Sequence, residues 1–159
     1  MIDQANLEDR RIVVGVDSSP GSTTALRWAL TQARMTGATV DVVTAWQNPV
    51  VYDGWIPAGP DNDALAAIAE KVLAETVADV VGTQDPPVDV HIAVAEGPAA
   101  QVLLTAATGA DLLVVGSRGR GAFAGMLLGS VSQHCVQHAP CAVAVIPDAD
   151  SSRVVGEQS

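Results

Sequence analysis

With 159 residues the chain has the length of one domain, and a 48% hydrophobic share is ample for a single core. A formal net charge of −10 argues against nucleic acid or an anionic lipid surface as the main partner. Only two cysteines occur, Cys135 and Cys141, which excludes a disulfide framework. Residues 1–10 are polar and acidic and are expected to be flexible. They lack the basic start and apolar run of a secretory signal. No window approaches the roughly 18 consecutive apolar residues of a membrane-spanning helix, so no membrane is expected as partner and cytosol is the expected compartment.

The predicted elements then alternate. Residues 12–16 are the first strand. Residues 22–35 follow with helical spacing, carrying Ala25, Trp28, Ala29 and Gln32 at steps of three and four, and Gly37 stops them. Residues 40–46 are the second strand. Residues 47–61 hold Pro49, Gly54, Pro57, Gly59 and Pro60 with Tyr52 and Trp55, a long irregular loop suited to a lid or a contact. Residues 62–81 make the longest helix, with an apolar face of Leu65, Ile68, Ala69, Val72, Leu73, Val77 and Val80. A third strand over 88–94, a short helix over 98–108, a fourth strand over 112–115, a helix over 127–138 and a fifth strand over 142–146 complete the order. Trp28 and Trp46 are expected in the core, and residues 148–159 form a polar tail.

Aromatic residues supply only 3% of the chain, so Val, Ala, Leu and Ile must build the core. That palette suits a parallel sheet buried on both faces. Strand–helix alternation through five strands predicts an α/β fold: a single open, doubly wound parallel sheet with helices on both faces, spanning residues 11–147. Ligands in such sheets bind at the carboxyl ends of the strands, where the winding reverses.

One of those ends carries unusual chemistry. From Gly116 the chain reads Gly-Ser-Arg-Gly-Arg-Gly-Ala-Phe-Ala-Gly-Met-Leu-Leu-Gly-Ser-Val-Ser, then helix. Glycines let backbone N–H groups approach a phosphate, and a helix start adds unpaired donors and partial positive charge. That charge contributes roughly 0.3–1 kcal/mol per exposed anion contact. Ser130 and Ser132 offer hydroxyls there, and Arg118 or Arg120 a charged fork. Between Lys71 and Arg153 these are the only basic side chains, and residues 112–147 contain no Asp or Glu. The spacing fits neither GxxxxGK[ST] nor GxGxxG after a first strand.

The spacing Gly116-x2-Gly119-x9-Gly129-Ser130 resembles the ATP-binding pattern of the universal stress protein family, G-x2-G-x9-G-[S/T]. The likeness runs from about Arg11 to Pro147. It includes Ile-Val-Val-Gly-Val-Asp17-Ser-Ser, Glu96-Gly97-Pro98, the stretch from Asp111 to Gly119, Leu128-Gly-Ser-Val-Ser and His138-Ala-Pro-Cys-Ala-Val. It implies the strand order 3-2-1-4-5. It also implies that Asp17 is the acidic residue at the adenosine and metal side, and that Ala45 is the backbone contact to adenine. Gly116, Arg118, Gly119, Gly129, Ser130, Val131 and Ser132 would contact ribose and phosphate. Ser18 stands where the family commonly has Gly.

The resulting expectation is an ATP-binding stress-response or signalling module that works by occupancy, with Mg²⁺ accompanying the phosphates. Its rivals are a slow ATPase or nucleotide-alpha hydrolase, and an interaction protein that binds no nucleotide. Asp17 is the one acidic candidate for a general base, and no lysine reaches the loop. Asp17 also competes with Ser18, Ser19 and Ser22 to cap the first helix. A homodimer is expected through the apolar edge Ala142–Ile146, which must be paired or covered. His134, Cys135, His138 and Cys141 suggest zinc, but the cysteines suit small apolar roles and His138-Ala-Pro-Cys a helix stop. A side chain at Gly119 is expected to fill the phosphate's place.

Overall fold

The computed structural model describes residues 10–48, 61–82, 87–119 and 127–148. Tyr52, Trp55, Arg120, Gly121, Gly125, most of the 47–61 loop, residues 1–9 and the tail beyond Asp148 lie outside these.

In chain order the elements are β1 (Arg11–Gly15), α1 (Pro20–Thr36), β2 (Thr39–Trp46), α2 (Asn62–Val81), β3 (Val90–Glu96), α3 (Ala99–Ala106), β4 (Leu112–Gly116), α4 (Ser130–His138) and β5 (Ala142–Ile146). The strands form one sheet in the order β3-β2-β1-β4-β5, every pair parallel. β1 and β4 lie side by side with Ile12 opposite Leu112 and Val14 opposite Val114. These two strands are apolar on both faces because helices cover both. Ile12, Val14, Val40, Val42 and Val114 pack with Ala25, Leu26, Ala29 and Leu30 of α1 and with Leu73 of α2. Val13, Val43, Leu113 and Val115 face Val102 and Leu103 of α3 and Cys135 of α4. The expected architecture and strand order are therefore present.

Local signals explain where the helices start and stop. Ser19 caps α1 by accepting from the Ser22 N–H, and Pro20 follows with no N–H to lose. Gly37 ends α1 at φ 76, its N–H returning to the Ala33 carbonyl. Asp61 caps α2 through the Ala64 N–H. The buried Asn48, just past β2, donates from Nδ2 to Asn62 Oδ1 at 3.0 Å and joins the two ends of the intervening loop. At the amino end of the sheet Arg11 pairs with Asp41 at 2.8 Å and donates to the Ala106 and Thr108 carbonyls at the end of α3.

Three expectations are corrected. The last helix begins at Ser130, not at residue 127, because Gly129 is its extended cap residue. The apolar face expected on the long helix is divided: Leu73 and Val77 are buried, but Ile68 is 59% and Val72 42% exposed. Val72 precedes the buried Leu73 by one residue, a turn of about 100° around the axis. Trp28 and Trp46 are half-buried at the margin of the core rather than inside it.

Candidate functional site

The site is assembled from the carboxyl ends of β1 and β4, on either side of the point where the winding reverses. Past β1, the Val16 N–H bonds the Val43 carbonyl at 2.9 Å and delivers Asp17 to the mouth. Asp17 Oδ1 accepts from the Ser19 N–H at 3.0 Å and from the Ser19 hydroxyl. Ser22 Oγ accepts from the Asp17 N–H at 3.2 Å and donates to the Ser19 carbonyl. The contest for the cap is thereby resolved: Ser19 caps α1 and Asp17 braces the cap. Asp17 Oδ2 faces Gly119, where a Cβ would stand 2.6 Å from it.

The end of β4 is built by close backbone contacts. A Cβ on Gly116 would lie 3.1 Å from the carbonyl carbon and oxygen of Gly21, so a side chain here would push α1 away. The Ser117 carbonyl accepts from the Gly129 N–H at 2.7 Å and from Ser132 Oγ at 2.7 Å. These bonds pin the start of α4 beside the end of β4. Gly129 makes no side-chain cap, so the N–H groups of Ser130, Val131 and Ser132 begin α4 without an intrahelical acceptor.

Between these parts lies an open cavity of about 170 Å³. Asp17, Ala45, Gly116, Arg118, Gly119, Gly129, Ser130, Val131 and Ser132 all line it, so the structure gathers the residues that the family likeness assigns to the site. Val43, Ala99 and Leu103 supply an apolar wall. Spacing did not single out Ser19, Ser22 or Leu103. The Ser-Pro start of α1 was a signal for the first; nothing local marks the last.

Several side chains do other work than expected. Ser132 is 2% exposed and its hydroxyl lies 2.7 Å and 3.0 Å from the Ser117 and Gly129 carbonyls, so it holds the loop together. Ser130 is the exposed hydroxyl of the pair. The Arg118 guanidinium turns to Asp148. A Cβ at Gly119 meets the Asp17 carboxylate first, which corrects the expectation that it simply takes a phosphate's place.

His134 and His138 meet on the exposed face of α4 with ring centroids 4.6 Å apart and planes tilted by 45°, while Cys135 points into the core. Burial pushes the Cys135 thiol up, and Cys141 is raised chiefly by burial as well. Among the described residues no group of three or more His, Cys, Asp or Glu is placed to hold a metal. No helix among them is long and apolar enough to cross a membrane.

The model of the universal stress protein family matches residues 9–147. The chain belongs to the universal stress protein family. A universal stress protein of Mycolicibacterium smegmatis is 37% identical over 147 residues, covering 91% of this chain and 48% of the relative. The chain thus spans about half the length of the curated relatives it matches. The solved universal stress protein UspA of Lactobacillus plantarum is 25% identical with a TM-score of 0.66, over 86% of this chain and 97% of that one. A universal stress protein crystallised in complex with cAMP is also 25% identical, with a TM-score of 0.59 over 86% and 95%.

Proposed function

We propose that this universal stress protein binds an adenine nucleotide, ATP in particular, in the cavity between β1 and β4. In this reading it acts as a stress-response or signalling module through occupancy. The observation that carries the proposal is the convergence of Asp17, Ala45, the Gly116–Gly119 turn and the uncapped start of α4 on one cavity. The cAMP complex of a 25% identical universal stress protein supports the nucleotide class.

The residues present fit such a ligand. Oriented N–H groups at the start of α4, with the Ser130 hydroxyl, favour phosphate oxygens. The half-buried Ala45 and the apolar side chains of Val43 and Leu103 suit a base. Asp17 would hold Mg²⁺ beside the phosphates, since a single carboxylate plus phosphate oxygens is an ordinary Mg²⁺ donor set. With Oδ1 committed to Ser19, Asp17 is better suited to holding a cation than to cycling a proton. Residues 11–147 form the binding unit. We also assign β5, the outer strand of the sheet beside β4, as the edge through which two copies pair.

Isothermal titration with ATP, and mass analysis of nucleotide released on denaturation, test the site. Submillimolar binding is expected. No released nucleotide, together with no heat at millimolar ATP, removes the proposal. Sedimentation is expected to give twice the chain mass; a monomer at tens of micromolar removes the pairing.

A further inference from the structure

Asp148 lies just past β5, one residue beyond the segment matched by the family model. Its Oδ2 accepts from Arg118 Nε at 3.1 Å and Nη2 at 2.7 Å, with the two side chains only 24% and 25% exposed. Its Oδ1 lies against the first turn of α1, where a Cβ on Gly21 would come within 2.6 Å of it. The same Cβ would stand 3.0 Å from the Arg118 carbonyl oxygen, and a Cβ on Gly129 3.4 Å from Arg118 Cα. The Arg118 backbone is therefore wedged between the starts of α1 and α4, while its side chain is drawn toward the end of β5. The Ser117 N–H bonds the Ile146 carbonyl at 2.8 Å and carries the β4–β5 pairing up to the same point. Arg118 is held from both ends, and the next residue, Gly119, is a wall of the cavity.

We propose that Asp148 is a positioning residue for the phosphate half of the nucleotide site, acting through Arg118. The proposal rests on the nucleotide reading above. A charge-assisted pair with this little exposure is stronger than a neutral hydrogen bond and fixes the direction of both groups. Without the carboxylate the guanidinium loses both bonds to Asp148, and the backbone of 117–119 loses that tether. Preorganised donors then have to be ordered by the ligand, at a cost in affinity. Val43, Ala45 and Leu103, on β2 and α3, do not depend on that tether. The effect is therefore confined to ligands that carry phosphate.

The test is isothermal titration of the full chain with ATP and, separately, with adenosine. For Asp148→Asn we expect ATP affinity to fall by about tenfold with adenosine affinity unchanged, and Asp148→Glu to recover most of the loss. An ATP affinity within about twofold of wild type, or above it, overturns the proposal, as does a parallel loss of adenosine binding. If Asp148→Asn does not fold, Asp148→Ser replaces it, read by the same two titrations with the same outcomes supporting or overturning the proposal. A wild-type chain that binds neither ligand removes the nucleotide reading and this proposal together. ATP binding unchanged by Asp148→Asn removes this proposal alone.

Discussion

At Ser18 the backbone passes through φ 66, and among the described residues no other non-glycine has a positive φ. The Asp17 carboxylate imposes this by reaching the N–H of Ser19, so Ser18 is carried along in the left-handed region. Such a conformation costs a non-glycine residue about 1 kcal/mol, and it gives a physical reason for a glycine at this place. Ser18→Gly is expected to stabilise the chain by about 0.5–1 kcal/mol, read as a higher urea midpoint at unchanged slope. A lower midpoint would show that the serine side chain contributes more than its backbone costs. Gly119→Val is expected to abolish ATP binding by driving Asp17 Oδ2 aside, while the urea midpoint shifts little because residue 119 is exposed. Retained ATP affinity in that variant contradicts the site. The importance of these glycines was legible in their spacing. The partner of Arg118 was not, because Asp148 lies 30 residues away and only the β4–β5 pairing brings the two together.

At the level of elements, α3 is seated by an absence. A Cβ on Gly15 would come 2.7 Å from Leu103 Cδ1, so the leucine occupies a notch in β1 and thereby forms one wall of the cavity. Gly15→Ala forces Leu103 out of that notch. Overpacking of this kind costs about 1–3 kcal/mol, and we expect both a lower urea midpoint and weaker adenosine binding. Loss of stability with adenosine affinity intact would mean that α3 does not shape the base side. In the sequence Gly15 passes for an ordinary strand residue, since nothing within Ile-Val-Val-Gly-Val marks a neighbour 88 positions on. The limits of α2 were legible in its apolar spacing, but its buried stripe was not. With β3 at the margin of the sheet, part of an apolar helix face stays exposed among the described residues, and a count of hydrophobic residues cannot reveal which part.

For the whole molecule, the parallel sheet followed from alternation and its strand order from family likeness, and burial then sets how the thiols behave. Cys135 is fully buried and its thiol is raised above the ordinary 9.0, so it stays protonated in the folded chain where the unfolded chain ionises. The unfolded state therefore binds fewer protons at high pH, and the contribution is complete below 9.0 and lost as pH rises above it. The urea midpoint of the wild type is expected to fall more steeply between pH 8 and 10 than that of Cys135→Ala, with Cys141 common to both; equal slopes would contradict this. The Asn48–Asn62 bridge has a different consequence, for engineering. It fastens the end of β2 to the start of α2, so these two ends stay together when residues are inserted between them. Lengthening such a span costs only about 0.6 kcal/mol per doubling, which makes it the place to splice in a fluorescent or affinity tag.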